Sequence, residues 1–97
     1  MLTYYITEEV TREGMMTVDE APERAKGVVA FAQSMGVTVE EFFFCTSQFD
    51  FIMKVTAESE EAVAALCMAV RRSGNVTAKM TRAYTPEEWG GIVGRLS

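Results

Sequence analysis

The amino-acid sequence predicts an α+β fold, and three observations lead to that prediction. Segments rich in Tyr, Ile, Val, Thr and Phe, which are typical of strands, alternate with segments whose apolar residues recur every three or four positions, as on one side of a helix. Helix-start and helix-stop residues mark the borders between these segments. The 97 residues are enough for one domain, since domains usually need about 100. We therefore expect a single domain over residues 1–97.

The first part of the chain predicts a strand, a loop and a helix. The strand covers residues 2–10, and residues 11–14 are expected to form a loop. The helix is predicted to begin near Asp19 or Ala21, because a proline and three acidic residues favour its first turn, and to end at Gly36 as its left-handed cap. Its apolar stripe comprises Ala25, Val28, Val29, Ala32 and Met35.

The middle of the chain predicts a β-hairpin. The second strand runs from Val37 to Cys45, Thr46 and Ser47 form the turn, and the third strand runs from Gln48 to Thr56. An even number of turn residues would place Phe44 opposite Phe49 and Phe42 opposite Phe51, whereas an odd number would slip the hairpin and reverse the faces.

The last part of the chain predicts a helix, a strand and a final helix. The second helix opens at Ser59 or Glu58 and ends at Gly74, and the fourth strand covers residues 75–83. Thr85, Pro86 and Glu88 have the spacing of a capping box with proline at the first helical position. The apolar side of this last helix comprises Trp89, Ile92, Val93 and Leu96.

The element order is therefore β-α-β-β-α-β followed by a C-terminal helix, which is the ferredoxin-like split βαβ arrangement. Both main helices are expected on one face of an antiparallel sheet whose first and third strands are central. The other face of the sheet, called the bare face below, then has no helix on it. Its predicted apolar residues are Tyr5, Val39, Phe43, Cys45 and Ile52. A face with this many apolar residues indicates a partner or ligand surface, and we expect a second copy to pack on it around a twofold axis.

The composition excludes several classes of chemistry. The chain has 9 Lys and Arg against 14 Asp and Glu, a net charge of −5, and no His. Histidine-dependent serine triads, histidine-bound zinc or haem and histidine general bases are therefore excluded, and the acidic balance argues against a nucleic-acid partner. Adjacent carboxylates such as Glu8 and Glu9 point to opposite faces of a strand, which argues against a metal site. No cofactor is expected.

The sequence also predicts a cytoplasmic protein with no membrane partner. Its start lacks a basic leader, and no apolar run approaches the roughly 20 residues of a membrane span. Cys45 and Cys67 are expected to be buried, reduced thiols, with a single disulfide as the alternative.

Several segments resemble the GYD domain family. They are residues 42–50 (FFFCTSQFD), 74–77 (GNVT), 81–85 (TRAYT) and 19–24 (DEAPER). The motif Gly-x-Tyr-Asp stands here as Ser47-Gln48-Phe49-Asp50, so that only the Asp is kept. The resemblance implies a ferredoxin-like fold of the dimeric α/β-barrel type, in which two sheets enclose a shared cavity. The wider superfamily includes cofactor-free oxygenases, isomerases, haem enzymes and ligand sensors, and the lack of histidine argues against the haem branch.

Asp50 is the best candidate for a catalytic residue. On the third strand it would face the bare side of the sheet, where a desolvated carboxylate can act as a general base or ligand anchor. The alternative is that it caps the hairpin or pairs with Lys54, Lys79 or Arg82.

The candidate ligand-binding residues all belong to the predicted bare face. They are Tyr5, Phe43, Cys45, Asp50, Ile52 and Lys79. Tyr5, Phe43 and Cys45 would form the wall of a small-molecule pocket, or would simply pack against a second copy.

Three functions remain open from the sequence. The first is a homodimeric protein that binds a small apolar or aromatic molecule between its two sheets. The second is a cofactor-independent oxygenase or isomerase that uses Asp50 with Tyr5, and the third is a structural or regulatory subunit whose barrel is filled by side chains.

Overall fold

A computed structural model describes residues 1–96, which form a four-stranded antiparallel sheet with two long helices on one face. In chain order the elements are β1 (Leu2–Val10), α1 (Arg12–Met16), α2 (Ala21–Ser34), β2 (Val37–Phe44), β3 (Phe51–Ala57), α3 (Glu60–Arg72), β4 (Val76–Ala83) and α4 (Pro86–Val93). Short 3₁₀ turns cover Val18–Glu20 and Gly94–Leu96. The strand order is β2-β3-β1-β4, with β1 and β3 in the centre, which confirms the predicted ferredoxin-like α+β fold.

The helix ends follow the local chemistry of the sequence. Gly36 and Gly74 adopt φ of 81° and 82° after α2 and α3, a backbone region that glycine enters without steric cost. Ser59 caps α3 by accepting a hydrogen bond from the Ala62 amide at 3.2 Å. The reciprocal capping box of Thr85 and Glu88 is present at the start of α4. These ends were predicted because they depend only on neighbouring residues.

One helix was not predicted, because residues 11–14 were expected to be a loop. Thr11 instead caps α1, its side-chain oxygen accepting from the Gly14 amide at 3.1 Å. Gly14 is buried against the backbone of Asn75, and a β-carbon at position 14 would overlap the Asn75 carbonyl oxygen. A helix of five residues is too short to show a periodic pattern, so its only signal was the cap.

The predicted stripe of α2 is correct except at one position. Ala32 is fully buried, and Val28 and Met35 pack against the same core. Val29 is exposed, because it lies one residue round the helix from Val28 and turns away from the sheet.

The loop of the hairpin is longer than predicted. β2 ends at Phe44 and β3 begins at Phe51, so that Phe44 pairs with Phe51 and Phe42 with Met53. The expected pairs of Phe44 with Phe49 and of Phe42 with Phe51 are therefore wrong. The loop holds an even number of residues, so the predicted inward direction of Phe42, Phe44, Phe51 and Met53 is retained.

A β-bulge at Glu40 changes the face of one predicted residue. Val39 pairs with Val55, whereas Glu41 pairs with Lys54, and Glu40 is the extra residue between them. Val39 therefore packs against the helix-covered core and does not belong to the bare face as predicted.

The core lies between the sheet and the helices. Tyr4 and Ile6 alternate inward along β1, as predicted, and meet Met53 and Val55 of β3. The helices contribute Ala32 from α2 and Val63, Leu66 and Cys67 from α3. Glu8 is the next inward position of β1, so the pleat directs a carboxyl into the same layer.

Candidate functional site

A cavity of about 420 Å³ lies between the sheet and the two long helices. It opens because α2 packs chiefly on β2 whereas α3 packs chiefly on β4, which leaves space over the end of the central strands. Most of its wall is apolar and includes Val28, Phe31, Phe42, Phe44, Phe51 and Val70. Phe42 stacks on Phe51, with ring centroids 5.3 Å apart and an interplanar angle of 15°. The strands and helices together therefore give the cavity an aromatic wall.

Glu8 borders this cavity. Among residues 1–96 it is the one charged residue that is buried. Its exposed fraction is 1%, and neither carboxylate oxygen has a hydrogen-bond partner within that range. Burial raises the pKa of Glu8 from 4.5 to about 8, because the ionised form loses its hydration. Glu8 was not among the predicted site residues, although the inward alternation of Tyr4 and Ile6 already indicated its direction.

Cys67 of α3 is close enough to Glu8 for the two groups to influence each other. Burial and the charge of Glu8 raise the pKa of the Cys67 thiol to about 11, and Arg71 opposes this shift. Cys67 is buried, as expected, whereas Cys45 is only half-buried and so differs from the expected buried thiol; neither forms a disulfide. Cys67 is thus a neutral packing residue at ordinary pH.

Asp50 was predicted to lie on a central strand, and this is wrong. It lies in the loop before β3. Its carboxylate Oδ2 accepts a hydrogen bond from the Val10 amide at 2.7 Å. Its backbone amide donates to the Glu8 carbonyl at 2.9 Å, and its carbonyl accepts from Cys45 at 2.7 Å. Asp50 therefore fastens the hairpin loop to the end of β1, because β1 extends beyond the start of β3 and needs a partner there.

The predicted site residues divide between the two sides of the sheet. Cys45 and Asp50 border the cavity on the helix-covered side, which corrects their assignment to the bare face. Tyr5 points to the opposite side from Tyr4 and Ile6, so the structure does not bring Asp50 and Tyr5 together as an acid/base pair.

Tyr5, Phe43, Ile52 and Lys79 do share the bare face. One row across the sheet runs Phe43, Ile52, Thr7, Lys79, and the adjacent row runs Glu41, Lys54, Tyr5, Thr81. Phe43 is 58% exposed and Tyr5 37% exposed, so this surface carries accessible apolar area. The apolar strip is narrower than predicted, since Val39 and Cys45 are not part of it.

Arg24 of α2 stands at the edge of the cavity and holds the preceding segment in place. Its Nη1 donates to the carbonyl and the hydroxyl of Thr17 at 3.1 and 3.0 Å, and Nη2 donates to the Gly14 carbonyl at 3.4 Å. Among residues 1–96, no three His, Cys, Asp or Glu side chains are grouped so that they could hold a metal ion. The cavity thus combines apolar walls with the Glu8 carboxyl, the Asp50 carboxylate and one guanidinium at its edge.

The fold and the cavity define a small α+β domain of the ferredoxin-like class. Residues 4–93 match the model of the GYD domain, so the chain belongs to the GYD domain family. A search of curated proteins found no match. Across residues 1–96, none of the helices has the length and apolar content needed to cross a bilayer.

Solved structures with the same fold share little sequence with this chain. A glycine-to-threonine mutant of Rv3291c is 18% identical with a TM-score of 0.65, covering 88% of this chain and 51% of that chain. FFRP-DM1 is 15% identical with a TM-score of 0.63, covering 87% of this chain and 100% of that chain. The hypothetical protein PHS023 from Pyrococcus horikoshii is 15% identical with a TM-score of 0.62, covering 88% and 92%. This chain spans about half the length of the first of these structures, and at these identities the likeness establishes the fold alone.

Proposed function

We propose that this GYD domain protein binds a small, largely apolar molecule in the cavity between its sheet and helices α2 and α3. The observation that carries the proposal is a cavity of about 420 Å³ with aromatic walls and a buried carboxyl at its border. Ligand sites typically occupy about 300–1,000 Å³ and combine apolar walls with a few polar groups. This location differs from the space between two sheets that the sequence predicted.

The binding test uses N-phenyl-1-naphthylamine, a dye whose fluorescence rises in apolar surroundings. Ala25 lines the cavity and Ala30 is exposed on the same helix. Ala25→Trp should fill the cavity and weaken dye binding at least tenfold, whereas Ala30→Trp should leave it unchanged. Circular dichroism checks that both variants fold.

Two outcomes contradict the proposal. One is that the wild-type protein does not enhance the fluorescence of the dye, which would favour the structural or regulatory function. The other is that Ala25→Trp binds the dye as tightly as the wild type, which would put the dye elsewhere on the protein.

We also propose that two copies associate through the bare face of the sheet. Tyr5, Phe43 and Ile52 are neighbours in adjacent rows and form an apolar strip. The row beside Phe43 contains Glu41 and Lys54 as a cross-strand pair. In a twofold face-to-face arrangement such a row is self-complementary, because the acid of one copy can meet the base of the other.

The C-terminal helix presents a second exposed apolar surface that a partner copy would cover. Arg82 joins the start of α4 to the sheet, with its guanidinium 4.3 Å from the Tyr84 ring centroid and 3.4 Å from a Glu88 oxygen. The apolar residues of α4 are nevertheless exposed, Trp89 by 55%. Within residues 1–96, α4 packs mainly on its own continuation at 94–96. A short helix with two glycines is weak by itself, so a second copy offers the apolar surface that would stabilise it.

Light scattering coupled to size-exclusion chromatography tests the association. The wild-type protein should elute with twice the mass of one chain, and Phe43→Glu should convert it to a monomer, since a carboxylate would be placed within the apolar strip. Met68 is similarly exposed but lies on α3, so Met68→Glu should remain dimeric. A monomeric wild-type protein at about 50 μM, or a dimeric Phe43→Glu, would contradict the proposal.

A further inference from the structure

Glu8 lines the cavity, and its carboxyl is buried without a hydrogen-bond partner among residues 1–96. It is 1% exposed, yet Oε1 and Oε2 have no hydrogen-bond partner in the part of the chain that the structure describes. Buried polar atoms are nearly always hydrogen-bonded, and leaving a charged one without a partner is costly. A buried carboxyl without a partner at the border of a cavity indicates that the ligand supplies the missing hydrogen-bond donor.

The residues around Glu8 do not supply that group. In its row of the sheet, Glu8 lies beside Phe51 and Ala78, both of which are apolar. Loss of hydration is the cause of its raised pKa. Its own layer therefore contributes no hydrogen-bond donor to the carboxyl.

The titratable and charged groups on the neighbouring elements do not complement Glu8 either. Cys67 on α3 is a neutral thiol, Cys45 follows β2, and Asp50 in the hairpin loop is a second acid. Arg24 on α2 is the cation that lines the cavity, and its guanidinium is bonded to the 14–17 segment. The cavity thus has an excess of acid over available base.

We propose, resting on the cavity-binding function above, that the ligand is an apolar molecule with one basic nitrogen, whose N–H groups donate to the Glu8 carboxylate. Such a nitrogen provides both the positive charge and the two donors that a carboxylate accepts. The apolar remainder of the ligand meets the Phe42, Phe44 and Phe51 rings. An anionic ligand would face Glu8 and Asp50, and an alcohol has a single O–H donor for two oxygens.

Proton release follows from this pairing. An ammonium beside Glu8 favours the ionised carboxyl, so binding expels the proton that Glu8 carries in the empty cavity at neutral pH. Affinity for the amine therefore rises roughly tenfold per pH unit between pH 5 and 7 and levels off above about pH 8, until the amine itself loses its proton.

Isothermal titration calorimetry with three matched probes tests the proposal on the full-length protein. The probes are 2-phenylethylamine, 2-phenylethanol and 3-phenylpropionate, which share an aromatic ring and differ in the polar group. At pH 7.5 the amine should bind at least tenfold more tightly than the alcohol, and the carboxylate should bind most weakly. Glu8→Gln should weaken the amine roughly 10–100-fold, as expected for a charged hydrogen-bonded pair, and change the alcohol less than twofold.

A wild-type measurement makes the test independent of how well Glu8→Gln folds. At pH 7, the heats of amine binding in phosphate and in Tris should differ by the difference between the ionisation enthalpies of the two buffers, multiplied by nearly one released proton. The alcohol should show no buffer dependence. Equal heats for the amine in the two buffers would contradict the release of a proton from Glu8.

The remaining outcomes separate this inference from the proposed function. Equal affinity of the wild type for the amine and the alcohol overturns the basic-nitrogen ligand but leaves cavity binding in place. Equal amine affinity of wild type and Glu8→Gln also overturns it, because the amine would then bind away from Glu8. If none of the three probes binds, but N-phenyl-1-naphthylamine does and Ala25→Trp weakens its binding, the basic-nitrogen ligand alone is overturned. If the dye does not bind either, both proposals fail.

Discussion

Glu8→Gln should remove most of the pH dependence of folding stability between pH 5 and 8. In the folded protein burial raises the pKa of Glu8 to about 8, whereas the ordinary value is 4.5. Between these values the folded state holds a proton on Glu8 that the unfolded state has lost. Stability therefore falls as the pH rises through this window and becomes level above about pH 8.

The magnitude follows from the difference between the two pKa values. A difference of about 3.5 pH units corresponds to about 5 kcal/mol, at 1.36 kcal/mol per unit. The total unfolding free energy of a domain is about 5–15 kcal/mol, so this is a large share of it. The Gln side chain carries no charge at any pH, and its unfolding free energy should stay nearly level from pH 5 to 8.5.

Urea unfolding followed by circular dichroism at a fixed protein concentration measures the effect. About 3.5 kcal/mol of this is lost between pH 5 and 8, so the wild-type midpoint should fall by roughly 1–3.5 M urea over that range, given slopes of about 1–3 kcal/mol per M. Glu9→Gln is the matched control, because Glu9 is the next residue on β1 and is exposed. Cys67 and Tyr4 have raised pKa values above this window and do not contribute to it.

Two results would refute the reasoning about Glu8. A wild-type stability that is level from pH 5 to 8 would mean that the carboxyl is not desolvated. A Glu8→Gln variant with the same slope as Glu9→Gln would mean that other groups cause the pH dependence.

Three further changes test individual contacts of the fold, each by urea unfolding unless stated. Asp50→Ala should lower the free energy of unfolding by about 1–3 kcal/mol, because the Val10 amide at the end of β1 loses its charged acceptor. An unchanged urea midpoint would contradict that role. Gly14→Ala should cost about 1–3 kcal/mol because the new methyl group overlaps the Asn75 carbonyl, whereas Gly27→Ala, which has open space around it, should not destabilise. Thr85→Ala should weaken the cap of α4 by about 1 kcal/mol, seen as faster amide exchange in residues 86–93, and unaltered exchange would show that the cap is not needed.

Much of the fold could be predicted because its signals are local. The positions of Gly36 and Gly74, the Ser59 cap and the Thr85 capping box each depend on a few consecutive residues. The alternation along β1 and β4 also follows from the pleat, which requires no knowledge of the partner strand. The element order then restricts the topology to few arrangements.

The candidate site was less predictable because it depends on pairing between distant strands. The bulge at Glu40 reverses the face of Val39, and the six residues of the hairpin loop remove Asp50 from the strand. Neither feature alters the local apolar pattern, so the sequence is compatible with either register. Glu8 was directed inward by its alternation with Tyr4 and Ile6, but an inward carboxyl becomes a buried one only when helices cover it.

The sequence by itself determined the kind and order of the elements, the residues at which helices end and the exclusion of histidine chemistry. The tertiary structure alone decided that a cavity opens beneath the helices, that Asp50 fastens a loop there, and that Glu8 is deprived of water. The physical reason is the distance along the chain over which each interaction acts. Capping and pleating act between neighbours in the chain, whereas cavity volume and desolvation depend on how far apart packed elements lie.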